Sequence, residues 1–226
     1  MASIFVSYPT YRYAEPESKN CLEKMMMYMS QKKHRVGFDS PVGESMITRV
    51  RNRSLSRFIR DGSFDWFLTI DSDILFDEDL LEKLLSHNKE VIGAVYRVKQ
   101  NKIASACTPV QKPGTAWRDK TIEMNKGVQE MRYLSGGCML VNMSVIMEMV
   151  SKFPDLKYYD DYSDEECWGL YSDMIIEDGE GKNRFLSEDW AFCERMSQIG
   201  LKLYADTDIR LGHMMMTVLT FPKKAE

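Results

Sequence analysis

The strongest constraint on the fold is an alternation through the first 95 residues, where short apolar runs of strand length take turns with longer segments of helical period. Residues 3–7 (SIFVS) read as a strand, and CLEKMMMYMSQK as a helix beyond the turn-like YPTYRYAEPES. HRVGFDS repeats the strand pattern as far as Asp39, and a Pro-Gly loop leads into SMITRVRNRSLSRFIRDG, whose helical period stops at Gly62. FDWFLTI follows as a buried strand, then EDLLEKLLSH with Asp77 as its expected N-cap, then EVIGAVY as another buried strand. Such alternation predicts an α/β fold with a doubly wound, largely parallel sheet, whose ligands bind beyond the carboxyl ends of the strands. Tyr8, Asp39, Asp71 and Asp73 all fall at such ends.

The second half is less regular. Residues 96–130 are polar, MRYLSGGCMLVNM suggests strand, double-glycine turn and strand, and SVIMEMV continues as a helix. An acidic, aromatic loop (YYDDYSDEECWGLYSD) precedes LSEDWAFCERMSQIG, a helix with Ser187 as expected N-cap and Gly200 as stop. LKLYAD and DIRLGH close the chain as strands, and the 17 methionines read as adaptable core packing.

Composition excludes several classes. With 30 basic and 34 acidic residues interspersed, nothing in bulk charge favours nucleic acid as a partner. The five cysteines, odd in number and without C-x-x-C spacing, argue for free thiols in a reducing compartment rather than a disulfide framework or a zinc knot. No signal-peptide pattern or membrane-length apolar run is present, so the expectation is a soluble, cytoplasmic protein.

The chemistry concentrates where FLTI runs into Asp71-Ser72-Asp73. In an extended chain, residues two apart project to one face, so the two carboxylates converge. At about 5 Å and an effective dielectric of about 20 they repel by roughly 3 kcal/mol. A cation resolves that, and an oxygen-preferring divalent ion such as Mn²⁺ or Mg²⁺ would also bridge to substrate phosphates. The plainer alternative is a loop in which Asp71 caps a turn and Asp73 is solvated. His213, closing DIRLGH, is the candidate third ligand. On the helix from Met46 to Arg60, the positions Ile47, Val50, Leu55, Phe58 and Ile59 make an apolar face, with Arg49, Arg53, Arg57 and Arg60 expected on a solvated one. Arg51 falls inside the apolar stripe, so it is either salt-bridged to an aspartate or in contact with a phosphate or nucleotide. Gly136-Gly137 reads as an ordinary turn or as a place where a ligand nears the backbone. Glu188 and Asp189 either complement the helix dipole or supply a general base.

In this order, SYPTY, Arg51-Asn52, Asp71-Ser72-Asp73, Gly136-Gly137, Ser187-Glu188-Asp189-Trp190 and His213 resemble the GT-A family of nucleotide-sugar glycosyltransferases, over nearly the whole chain. Within it, the chain is similar to enzymes of large DNA viruses and phages such as the capsid-glycosylating transferases of chlorella viruses, which would place it in host cytoplasm. The resemblance implies a Rossmann-like, mostly parallel central sheet flanked by helices, with a smaller mixed sheet on the acceptor side. It implies one domain over 1–226, with 1–95 as donor half and 96–226 as acceptor and catalytic half, either a whole enzyme or one domain of a longer protein. The implied reaction moves a hexosyl or deoxyhexosyl group from a UDP-sugar to a glycan or glycoprotein, a viral capsid glycan being one such acceptor.

By the same resemblance, Mn²⁺ (or Mg²⁺) would be held by Asp73 and His213, with Asp71 on the metal or the donor ribose. Ser7, Tyr8, Pro9 and Asp39 would meet base and ribose, Arg51 the nucleotide or its phosphates, and Ser72, Gly136 and Gly137 the donor. Asp189, with Glu188 beside it, would act as base, although retaining relatives dispense with a side-chain base. Two other classes share the D-x-D. One is a haloacid-dehalogenase-like phosphatase with Asp71 as nucleophile and Asp73 as acid/base, though its usual Thr or Val is missing from Ile74-Leu75-Phe76. The other is a non-catalytic nucleotide-sugar or carbohydrate-binding module.

Overall fold

The structure, a computed structural model, describes residues 1–99, 104–110 and 122–215. Met216, the lysine-bearing tail at 221–226 and parts of the polar stretch 96–130 lie outside the described residues. In chain order the first half gives β1 (Ser3–Ser7), α1 (Pro16–Gln31), β2 (Arg35–Asp39), α2 (Ile47–Asp61), β3 (Trp66–Ile70), β4 (Ile74–Leu75), α3 (Leu80–Ser86) and β5 (Val91–Ala94). The second gives β6 (Thr108–Pro109), β7 (Val128–Tyr133), β8 (Cys138–Asn142), α4 (Met143–Lys152), β9 (Lys157–Tyr159), β10 (Glu166–Trp168), β11 (Met174–Glu177), β12 (Asn183–Leu186), α5 (Glu188–Gln198), β13 (Leu203–Asp206) and β14 (Gly212–His213).

One eight-stranded sheet, in the order β2-β1-β3-β8-β5-β13-β7-β6, organises the molecule. Strand alternation sends Phe67 to one face, against Leu55 and Phe58 of α2, Val145 and Met149 of α4 and Phe192 of α5. It sends Leu68 and Ile70 to the other, against Leu22, Met25 and Met29 of α1 and Leu81 and Leu84 of α3. Both faces are thus covered, as a central strand read as a continuous apolar run requires.

The sheet is more mixed than the alternating pattern predicts. Parallel pairs are confined to β2-β1-β3 and β5-β13, while β8 lies antiparallel between β3 and β5. Residues from 96–226 therefore complete the centre of the sheet begun by 1–95. The double-glycine segment is not a hairpin turn either: β8 joins β3 and β5, whereas β7 pairs with β13 and β6, so Leu134–Gly137 crosses the sheet. The acidic, aromatic stretch contains strand, in a hairpin of β9 with β10, and a second hairpin joins β11 to β12.

Two helix boundaries test the capping logic. Gly62, at φ 62°, ends α2 as a left-handed cap whose amide donates to Phe58 O. The helix expected from Asp77 begins later, with Asp79 as N-cap, because a turn closed by the Leu80 amide on Asp77 O comes first. Met25 and Met29 are buried as core packing predicts, but Met27 and Met215 are exposed. All five cysteines are free, and burial pushes the thiols of Cys107 and Cys138 up to about 12. No helix among the described residues is long and apolar enough to cross a membrane.

Candidate functional site

A cleft of about 320 Å³ opens beyond the carboxyl ends of β1 and β3, a volume within the range of small-ligand sites. Pro9, Thr10 and Tyr11 from the loop after β1 form one wall, and Glu44, Ser45 and Ile47 from the approach to α2 form another. Val50, Arg51, Asp71, Ser72, Asp73 and Glu188 complete the lining. Ile47, expected on the apolar face of α2, is instead exposed in this cleft.

The two aspartates do not stand on one face of an extended strand. β3 ends at Ile70, and the Ile74 amide donates to Asp71 O at 3.1 Å, so 71–74 is a tight turn. Their repulsion is relieved by the protein's own cations. Arg51 Nη2 donates to Asp71 Oδ1 at 2.9 Å, while Lys99 Nζ binds Asp73 Oδ2 in a short ion pair. His213 comes alongside because β14 pairs antiparallel with β4, setting His213 opposite Ile74. The Met214 amide then donates to Asp73 O at 2.9 Å, and His213 Nε2 lies 3.6 Å from Asp73 Oδ2.

Arg51 is 3% exposed and serves as a cross-brace. Nη1 donates to Thr69 Oγ1 at 2.7 Å and to Gly136 O at 2.9 Å, and Nε stands 3.5 Å from Glu188 Oε1. Burial opposes its charge, but Asp71 and Glu188 outweigh that and hold the guanidinium above its ordinary pKa. The aspartate salt bridge is therefore the arrangement found, at the floor of the cleft. The glycine pair is explained here: a Cβ on Gly136 would sit 2.5 Å from the Arg51 guanidinium carbon, and one on Gly137 would strike the Tyr96 ring and hydroxyl. Neither glycine lines the cleft. Their missing side chains make room for Arg51 and Tyr96.

The carboxylates of the S-E-D-W turn part company. Asp189 accepts from Ser187 Oγ and from the Trp190 amide, both at 2.8 Å, and from the Gly136 amide at 3.3 Å, and it does not line the cleft. Ser187 is positionally the N-cap, but its hydroxyl serves Asp189 rather than the helix amides. Glu188 faces the cleft instead. Burial raises its pKa, Arg51 pulling the other way and Asp189 and Asp71 adding to the rise.

Of the residues expected around a nucleotide, Pro9 and Ser72 line the cleft. Ser7 is fully buried at the end of β1, and Tyr8 is buried with its hydroxyl donating to Ser18 Oγ at 2.8 Å. Asp39 accepts from Ser54 Oγ at 2.6 Å and from Arg57 Nη1 at 2.8 Å. Tyr8 thus fastens the end of β1 to α1, and Asp39 fastens β2 to α2. The arginines expected to be merely solvated are paired: Arg49 with Glu44, Arg53 with Asp160, Arg57 with Asp39 and Arg60 with Glu165.

Among the described residues, no three His, Cys, Asp or Glu side chains stand together as a ready-made metal cage. Asp73 and His213 nonetheless fit a cation. Asp73 Oδ1 is buried without a hydrogen-bond partner among the described residues. His213 Nδ1 donates to Arg97 O at 2.7 Å, which turns Nε2 toward Asp73. Lys99 and Glu44 are the site residues that sequence patterns missed. Lys99 sits in a polar stretch with no periodicity, and Glu44 shows only as an acidic residue ahead of a basic helix.

No protein-family model matches the chain, and no curated protein matches it. Among solved structures, the crystal structure of A197 from STIV matches with a TM-score of 0.56 at 11% identity, over 96% of this chain and 87% of that one. The crystal structure of a glycosyltransferase involved in the glycosylation of the major capsid of PBCV-1 matches with a TM-score of 0.34 at 12% identity, over 89% of this chain and 92% of that one, too slight a likeness to carry an argument. The protein is thus an α/β protein with an eight-stranded mixed central sheet, similar in fold to A197 from STIV.

Proposed function

We propose that the chain is a glycosyltransferase that moves a hexosyl or deoxyhexosyl group from a nucleoside-diphosphate donor, by preference a UDP-sugar, to a hydroxyl of a glycan or glycoprotein. One observation carries the reading: Glu188, a carboxylate of raised proton affinity, opens onto the same cleft as Asp71 and Asp73, at the carboxyl ends of the parallel strands β1 and β3.

In this reading Glu188 takes the proton of the acceptor hydroxyl as that oxygen bonds to the anomeric carbon. The bond from that carbon to the diphosphate oxygen breaks, and the nucleoside diphosphate leaves with the electron pair. Raised proton affinity suits a base that must accept a proton near neutral pH, and Arg51 keeps the group oriented through the 3.5 Å ion pair. Asp73 and His213 would hold a divalent ion, which when bound supplies Lewis-acid neutralisation of the departing phosphates.

The test is donor hydrolysis with a panel of UDP- and GDP-sugars in Mn²⁺, Mg²⁺ or chelator, for the wild type and Glu188→Gln. Consumption of one donor, lost in the variant, is the expected result. Metal-dependent UDP binding with no donor consumed, with or without acceptors, would make the chain a binding module. Phosphomonoester hydrolysis lost in Asp71→Asn would make it a phosphatase.

A further inference from the structure

We infer that Lys99 is an exchangeable occupant of the cation position at Asp73, displaced by the divalent ion that this site takes up, and that it therefore sets the affinity of the site for metal. The inference rests on the reading of the cleft as a diphosphate site. It starts from an asymmetry on one carboxylate. Asp73 Oδ2 holds the Lys99 ammonium, while Oδ1 is buried with no hydrogen-bond partner among the described residues. An ammonium carries one charge and meets one of the two oxygens, so the carboxylate is only half satisfied. Asp73 and His213 would hold a divalent ion, which would bring twice the charge of the ammonium to the half-satisfied carboxylate.

The neighbours of Asp73 show which partner can leave. His213 is held at both ends: its Nδ1 is against Arg97 O at 2.7 Å, its ring packs edge-on to Tyr96 with centroids 5.1 Å apart, and its backbone is paired in β14. Lys99 has no such anchor. Its side chain is 37% exposed, it ends in a point charge on a flexible stem, and Asp73 is its one ion-pair partner among the described residues. Its backbone stands just beyond the Val98 amide bonded to Ala104 O at 3.0 Å, so the ammonium can swing away without unmaking the pairing of 96–98 with 104–106. Once released it lies at the mouth of the same cleft, a free cation beside any bound phosphate.

The experiment measures Mn²⁺ alone, by titration with detection of free Mn²⁺ by electron paramagnetic resonance, on the full chain without nucleotide or sugar. Lys99→Gln is expected to tighten Mn²⁺ binding about tenfold, the order expected from removing one charge at about 4 Å in a half-exposed site. Lys99→Arg keeps the charge and is expected to stay within about twofold of wild type. Asp73→Asn should bind no Mn²⁺, with an unchanged circular dichroism spectrum. Equal or weaker affinity in Lys99→Gln overturns the inference, as does an absence of Mn²⁺ binding in both wild type and Lys99→Gln. Because donor turnover is read separately, a wild type that consumes a UDP-sugar while Lys99→Gln leaves Mn²⁺ affinity unchanged sinks the inference alone. A Lys99→Gln chain that gains Mn²⁺ affinity while neither protein consumes a donor sinks the transferase reading alone.

Discussion

The two ends of the Asp71-Ser72-Asp73 turn solve the same electrostatic problem in opposite ways. At Asp71 the counter-charge is Arg51, with a side chain 4% exposed, braced by Thr69 and the Gly136 carbonyl and given room by a residue without a side chain. At Asp73 it is Lys99, 37% exposed and bonded to nothing else among the described residues. A pair whose cation is buried and held by further acceptors behaves as part of the framework, because removing its carboxylate partner strands that charge away from water. A half-exposed pair in high dielectric contributes little and exchanges freely. The difference gives one carboxylate a place in the framework and leaves its neighbour two residues on free for the proposed ligand chemistry.

Breaking the framework end should have the largest effect. Arg51→Met leaves Asp71 and Glu188 without their shared counter-charge, so we expect a loss of about 3–5 kcal/mol, read as a large fall in melting temperature. That loss should exceed any effect on nucleotide affinity in the surviving folded fraction. A melting temperature within a degree or two of wild type would erase the contrast between the two ends.

A smaller effect should come from Asp160, which accepts from both Arg53 Nε and Nη2 at 2.7 Å and also from the Tyr162 and Ser163 amides. The Arg53 hydrogen bonds, against the cost of burial, hold its pKa at about 2 rather than 3.8. A depressed carboxylate stabilises the fold fully above its unfolded pKa, and this contribution disappears as pH falls through the folded one. It is worth about 2 kcal/mol. Acid denaturation should therefore show this component between about pH 4 and pH 2, and Asp160→Asn should abolish it.

At the ligand end, effects on stability should be slight and effects on function large. Glu188 has a raised pKa, so its stabilising, protonated form is present at low pH and lost as pH rises through that value. Glu188→Gln, neutral throughout, should be as stable as wild type or slightly more so at neutral pH, with donor turnover gone. The acidic limb of the wild-type pH–rate profile should lie above the usual glutamate range. Asp73→Asn should change stability least, within about 0.5 kcal/mol, while removing Mn²⁺-dependent binding of a nucleoside diphosphate. Unaltered metal-dependent affinity in that variant would move the ligand chemistry away from Asp73.

The same contrast governs how much was legible in the sequence. The first-half elements follow from local signals: β3 is a dense apolar run, α2 has a helical period ended by Gly62, and Arg51 stands out because its position in that period is apolar. The placement of His213 beside Asp73 rests on a long-range pairing of two-residue strands, β14 with β4, which leaves only a faint local mark. The split between Glu188 and Asp189 turns on which carboxylate the Gly136 amide captures, a contact between residues 53 apart in sequence. Lys99 was invisible for the same reason. Its partner is 26 residues away, and nothing in the surrounding polar stretch distinguishes it from any other lysine. Reading the aspartates as co-facial failed because periodicity assumes that the strand continues, and at Ile70 it stops.

The reversed strand at the middle of the sheet has a consequence for how the chain must assemble. β3 and β5 do not pair; in the sheet each is joined to the other through Cys138–Asn142. During synthesis the first 95 residues can make their helices and the β2-β1-β3 trio, but Leu68 and Ile92 gain the strand partner they share only when Leu140 has left the ribosome. The cleft's floor likewise waits for the Gly136 carbonyl and for Glu188. An excised segment 1–95 should therefore remain open and prone to self-association, and the intact chain should fold late and all at once.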